Sequence, residues 1–272
     1  MKKEHVIFSI TLLFASTCLY ADTIKLATTT STENSGLLKV LIPLFEKNSG
    51  HKVHVIAVGT GKALRMGEAG DADVLLVHSR QAENKFINDG HGVNHRSVMY
   101  NDFVIVGPKE DPARIQGETD CVTALKKISM TNNLFISRGD NSGTHKKERD
   151  LWKIAKLNPS GKWYREAGQG MGKVLQISNE LSAYTLTDRG TWLSSRSNSS
   201  LKVLVEGDKR LFNPYGIIAV NPDKYHDIHY SAAMSFIAWI TSPQAQQQIA
   251  QYQINNKVLF TPMAIKTSHL SN

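Results

Sequence analysis

The 272-residue chain sets 32 Lys and Arg against 24 Asp and Glu, a formal net charge of +8, with 41% hydrophobic residues. Two cysteines, Cys18 and Cys121, exclude a disulfide-stapled fold and a cysteine metal cluster. The basic excess suits small anions or a membrane surface, with scattered solvated lysines as the plain alternative; no basic run is interleaved with aromatics, so nucleic acid is set aside.

Lys2 and Lys3, the short apolar run Val6 to Ala15, and the segment Cys18 to Ala21 read as an export signal cleaved near Ala21. The apolar run is too short to span a bilayer, and no later run is long enough. Thr17 is a poor neighbour for lipidation of Cys18. Loss of Lys2, Lys3 and Glu4 lowers the charge from +8 to +7 and leaves Cys121 without an internal partner.

Strand-like and helical patterns then alternate, which predicts an α/β fold. Ile24 and Leu26 open a strand, and Leu37, Leu38, Leu41, Ile42 and Phe45 share one helical face. Val53, Val55 and Ala57 alternate again and lead into Gly59-Thr60-Gly61. Val74 to Val77 is a compact buried strand ending at His78-Ser79, and Val98 to Gly107 is a strand closing the first half. Pro108 to Asp120 is a polar break. Leu134 to Ser137 reads as strand, and Lys146 to Leu157 as a helix with Leu151, Ile154 and Ala155 on one face. Val174 to Leu186 reads as helix, Leu201 to Val205 as strand, and Leu211 to Val220 as a return strand. Helical patterns follow around Ala232 to Trp239 and Gln244 to Tyr252. Two α/β halves joined twice by strands would leave a cleft between them.

Two segments are suited to an anion. Thr28, Thr29, Thr30, Ser31 and Thr32 lie where a strand gives way to a helix, whose first amides are unpaired and carry partial positive charge. Thr30 with Glu33 fits a capping box, with Thr32 as an alternative cap; one cap needs one hydroxyl, and five exceed that need. Glu33 is expected to turn back to the backbone, away from an anion. The second segment is Ser137 to His145. Arg138 offers a rigid fork of donors, Gly143 allows close backbone approach, and Ser142 and Thr144 add hydroxyls and amides ahead of a helix starting near His145. Asp140 is expected to steady Arg138 without touching the ligand; a surface Arg138–Asp140 pair beside an ordinary cap is the plain alternative. Thr60 in its glycine turn is a third donor.

Weaker signals are set aside. Gly168 to Lys173 has the wrong spacing for a phosphate loop, with Val174 where a hydroxyl is needed. Tyr184 reads as core. His91 and His95 are four apart, but Gly92 and Asn94 between them favour a loop over a metal-bearing helix, so no metal-cation site is expected.

The stretches Thr28 to Leu38, Val58 to Leu64, Ser137 to His145 and Asn213 to Pro222 together resemble the TupA-type tungstate-binding solute-binding proteins of ABC transporters. The resemblance covers essentially the whole chain after Ala21. It implies a type II periplasmic-binding-protein fold, with two α/β lobes, a two-strand hinge and a ligand cleft between them. Lobe 1 would be residues 22–102 with 215–272, and lobe 2 residues 103–214. It implies a periplasmic, non-enzymatic and monomeric carrier, without cofactor, that hands tungstate, or molybdate, to a permease driven by a separate ATPase. Carried over residue by residue, its motifs fall on Thr28, Thr29, Thr30 and Ser31, on Arg138, and on Ser142, Gly143 and Thr144. Tungstate is a fully deprotonated dianion that only accepts hydrogen bonds, which suits a donor-only site.

Two rival readings stand beside it. The same fold could take phosphate, sulfate or molybdate. A secreted serine hydrolase would use Ser142 of Gly139 to Gly143 as nucleophile, but Asn141 breaks that protease-like motif and a triad is defined by geometry.

Overall fold

The computed structural model describes residues 21–195 and 199–264, so the expected signal segment lies outside the described residues but for Ala21. The first three strands are β1 (Thr23–Thr29), β2 (Lys52–Val58) and β3 (Val74–Val77), followed respectively by α1 (Thr30–Asn34) with α2 (Leu37–Ser49), by α3 (Thr60–Ala69), and by α4 (Arg80–Asn88). They are parallel with β1 in the middle, in the registers Thr29↔Val58 and Thr28↔Leu76. Helices cover both faces of this sheet, and β3 accordingly is buried at all four positions.

Next comes β4 (Gly92–Gly107), then α5 (Cys121–Met130), β5 (Phe135–Ser137), α6 (Gly143–Ile154), β6 (Tyr164–Glu166), α7 (Met171–Glu180), β7 (Thr185–Asp188), α8 (Arg189–Ser195) and β8 (Lys202–Val205). The chain closes with β9 (Phe212–Val220), α9 (Tyr230–Ile240), α10 (Pro243–Gln251) and three two-residue strands, β10 (Gln253–Ile254), β11 (Lys257–Val258) and β12 (Thr261–Pro262). The main sheet runs β12-β4-β9-β3-β1-β2. β9 is therefore inserted between β3 and β4, antiparallel to both.

One strand belongs to two neighbourhoods. β4 pairs with β9 from Gly92 to Asp102, then with β7 from Phe103 to Val106 and with β8 from Ile105 to Gly107. At the changeover Arg189 grips Asp102 with two bonds of 2.5 and 2.6 Å and reaches Glu206 at 2.7 Å. The bidentate fork fixes both direction and register there.

Helices α2, α9 and α10 pack Leu41, Phe45, Phe236, Ile240 and Ile249 onto one face, and the same cluster continues through Val104 and Val106 to Val174 and Trp192. On the other face α3 and α4 bury Ala63, Leu64 and Phe86, while α5 and α6 bury Leu125, Ile128 and Trp152 against Phe135. Each fully buried large apolar side chain contributes about 1.5–3 kcal/mol.

Several expectations need correction. The helix expected over Val174 to Leu186 stops at Glu180, because Ser182 turns at φ 49° and Thr185 begins β7. Its last apolar residues fit a strand register as well as a helical one. α6 begins at Gly143 rather than near His145, and Ile154 is 51% exposed, its place in the core taken by Trp152. β4 begins six residues before Val98, within polar sequence. Tyr184 is fully buried, but outside a helix; its hydroxyl accepts from the Ala113 amide and donates to Asp111.

Candidate functional site

The carboxyl ends of β1, β2 and β3 finish along one edge, so Thr30-Ser31, Gly59-Thr60 and His78-Ser79 leave the sheet side by side. In an open α/β sheet that edge, with helix N-termini opening onto it, is where small ligands bind.

The first segment divides its hydroxyls between fold and surface. Thr28 is fully buried and donates to Leu76 O at 2.7 Å, tying β1 to β3. Thr29 caps α1, its Oγ1 accepting from the Thr32 amide at 3.2 Å and touching Thr32 Oγ1 at 2.7 Å. The expected caps Thr30 and Thr32 are thus replaced by Thr29, because the strand ends one residue earlier and Thr30 and Thr32 are already helical. Thr30 and Ser31 are exposed on the first turn. Thr60 opens α3, whose cap residue Gly59 supplies no side chain, and Thr60 is half-buried.

The second segment is organised by Asp140. Its Oδ2 takes the Arg138 Nε–H at 2.7 Å and its Oδ1 takes the Ser142 amide at 3.1 Å. Burial pushes the Asp140 carboxyl up, but the Ser142 hydrogen bonds and the Arg138 guanidinium outweigh it and hold the carboxyl below its ordinary value. Arg138 spends only Nε on this contact, and its two Nη groups have no protein partner among the described residues. The turn is tight: Gly139 has φ 64° and Asn141 φ 58°. A Cβ on Gly139 would lie 2.7 Å from Glu166 Cβ.

Ser142 caps α6 by accepting the His145 amide at 3.3 Å, which leaves the Gly143 and Thr144 amides as the first two of the helix. Gly143 is exposed and Thr144 buried. Beneath the turn, buried Glu148 takes hydrogen bonds from Ser137 at 2.8 Å, Trp152 at 3.1 Å and Tyr164 at 2.7 Å. Burial raises the Glu148 carboxyl above its ordinary value despite those donors. This network locks β5 to α6 and so holds Arg138 against Ser142. For Ser142 as a nucleophile the hydroxyl is already placed as a helix cap, and His145 Nδ1 is occupied by the Asn141 amide at 3.0 Å.

His78, which sequence reasoning passed over, joins the two segments. Its Nε2 lies 3.1 Å from Thr29 Oγ1 and 3.2 Å from Ser31 Oγ. A Cβ built on Gly143 would stand 3.7 Å from His78 Cε1. On the far side, Nδ1 meets Asn213 Oδ1 at 3.0 Å, Asn213 Nδ2 donates to Asn101 Oδ1 at 2.8 Å, and the Tyr215 ring packs 4.7 Å away. The available signal was positional: His78 leaves β3 as Thr30 leaves β1, a polar residue just past a parallel strand. His91 and His95 both fall outside a helix; His95 bonds Glu83 at 2.9 Å and His91 bonds Tyr225.

Comparison with known proteins agrees with this architecture. Residues 20–244 match the PBP superfamily domain. The chain is 51% identical over 247 residues, 89% of its length and 86% of the relative's, to a tungstate-binding protein TupA of Peptoclostridium acidaminophilum. It is similar to the solved tungstate-binding protein TupA of Desulfovibrio alaskensis G20, with 46% identity and a TM-score of 0.85, covering 90% of this chain and 100% of that one. It is also similar to a tungstate ABC transporter structure from Geobacter sulfurreducens, with 55% identity and a TM-score of 0.75, covering 85% of this chain and 98% of that one. Identity near one half, sustained along nearly the whole length of these relatives, shows that the chain belongs to the TupA family of solute-binding proteins, within the PBP superfamily.

Proposed function

We propose that this chain is the tungstate-binding component of an ABC-type importer, exported to the periplasm, where as a monomer it hands the oxyanion to a membrane permease driven by a separate ATPase. The observation that carries the reading is the convergence of two donor-rich segments on His78 in a chain about half identical to tungstate-binding relatives. The ligand would sit between lobe 1, residues 22–102 with 215–272, and lobe 2, residues 103–214.

Thr30, Ser31 and Thr60 would supply donors from one side, with Thr29 holding Ser31 in place and Thr28 bracing the strand beneath. Arg138, Ser142, Gly143 and Thr144 would supply a guanidinium, hydroxyls and amides from the other. The amides and the guanidinium can only donate, which favours an ion without a proton of its own. Asp140, the carboxylate beside Arg138, already has both oxygens engaged. Charge-assisted hydrogen bonds of about 1.5–3 kcal/mol each, several together in a closing cleft, are enough for nanomolar affinity, about −12 kcal/mol.

Calorimetry of ligand-free protein against tungstate, molybdate, sulfate and phosphate tests the proposal. Tight tungstate binding with weak sulfate and phosphate binding is expected. Tight phosphate binding without tungstate binding would overturn it. Molybdate, of nearly the same size and equal charge, should compete.

A further inference from the structure

His78 poses a charge problem for any oxyanion site built around it. Asn213 Nδ2 is directed at Asn101 Oδ1, so Asn213 presents Oδ1 to the ring and Nδ1 of His78 carries the hydrogen. In a neutral ring Nε2 is then a bare lone pair. It faces Thr29 Oγ1 and Ser31 Oγ and draws hydroxyl hydrogen toward itself. Those are hydrogens that a dianion above Ser31 needs. A protonated Nε2 reverses the pattern: the ring donates to Thr29 and Ser31, and the Ser31 hydroxyl is free to turn its hydrogen outward.

We propose that His78 is a charge-compensating positioning residue of the oxyanion site, taking one proton from the solvent at Nε2 when the oxyanion binds. The inference rests on the oxyanion reading given above. The step is a single protonation, in which an Nε2–H bond forms and the buffer supplies the proton. Its surroundings are suited to it. Thr29 and Ser31 face the ring from β1 and α1, Asn213 and Tyr215 from β9, and Gly143 from α6. The charged groups acting on it are Glu83 on α4 and Asp188 at the end of β7, both favouring the imidazolium. Glu83 is itself engaged by the Ser79 amide and His95, with Arg80 3.9 Å away. The Tyr215 phenol is pushed up by burial and stays neutral. Removal from water pulls the free ring below its ordinary value despite Asn213, Asp188 and Glu83, so at neutral pH the empty site holds His78 unprotonated. A dianion close by adds the missing incentive to protonate.

Proton uptake on binding means that affinity falls as pH rises, by about tenfold per unit for one proton, between the value of the free ring and the higher value of the ring beside the anion. Tungstate calorimetry in buffers of different ionisation enthalpy, slightly above neutral pH, counts the protons. About one is expected for the natural chain and for His145→Gln, which removes the other histidine near the turn, and none for His78→Gln. No uptake by the natural chain, or unchanged uptake by His78→Gln, overturns the proposal. Should His78→Gln not fold, nitrogen NMR of the natural protein decides: the Nε2 resonance must move to its protonated position on ligand addition, and a static resonance refutes it. Absence of any tungstate binding refutes the ligand reading instead, and the proton count is then made with whichever of molybdate or sulfate binds.

Discussion

Replacing Arg138 by alanine isolates the strongest donor of the proposed site. The guanidinium commits Nε to Asp140 and leaves both Nη groups for a ligand. Loss of one charge-assisted bond costs about 1.5–3 kcal/mol, roughly ten- to over a hundredfold in Kd. The substitution also strips Asp140 of its counter-charge, leaving an unneutralised carboxylate beside the dianion. Arg138→Ala with Asp140→Asn should therefore bind tungstate more tightly than Arg138→Ala alone, since asparagine can still accept the Ser142 amide. The Arg138 and Asp140 side chains are 23% and 25% exposed, so losing their pair costs more than the roughly 0–1 kcal/mol of a fully exposed one, and urea unfolding of both variants checks that they stay folded. Calorimetric titration reads the two affinities. An unchanged Kd for Arg138→Ala removes the residue from the site. A double variant no tighter than the single one removes the charge argument for Asp140.

Thr28→Val should lower stability by about 0.5–1.5 kcal/mol in urea unfolding, for the lost bond to Leu76 O, yet leave tungstate affinity nearly unchanged. A large affinity loss at unchanged stability would make Thr28 a ligand residue. Gly139→Ala places a side chain at φ 64° and against Glu166, so it should cost at least about 1–2 kcal/mol in the same assay and weaken binding by misplacing Arg138. The Cys121 thiol is fully buried, and burial together with Asp208 pushes it up to about 12. A thiol reagent should leave Cys121 of the native protein unlabelled near neutral pH and react with it fully once the chain is unfolded.

The alternation that announces the fold was easy to read where strands are covered on both faces, as in Val74 to Val77, since burial demands continuous apolar sequence there. It was hard to read where a strand is half covered. Residues 92–97 of β4 carry Asn94, His95 and Arg96, with Asn94 and His95 in an irregularity between the β9-paired Val93 and Arg96. Leu181 to Leu186 failed for another reason, because apolar residues spaced that way satisfy either period and the positive φ of Ser182 leaves no strong sequence mark. At the site, the Thr/Ser run and the Arg138 segment stood out by excess of donors. His78 did not, since a single histidine after an apolar strand looks the same whether it packs or binds. Its role depends on Asn213, 135 residues away, which local pattern cannot relate to it.

The position of β9 bears on the order in which the molecule can be assembled. The strand that separates β3 from β4 is made of residues 212–220, so a chain growing from its amino end has both of those edges open until most of it has been synthesised. The interval between β4 and β9 meets no such delay: α5, β5, α6, β6, α7, β7 and β8 can pair and pack on the end of β4 among themselves. Closure of the first sheet is a late event governed by long-range pairing, and long-range pairing is slow. On the proposed export route, a first sheet that closes only when β9 arrives leaves the β3 and β4 edges unpaired through most of synthesis.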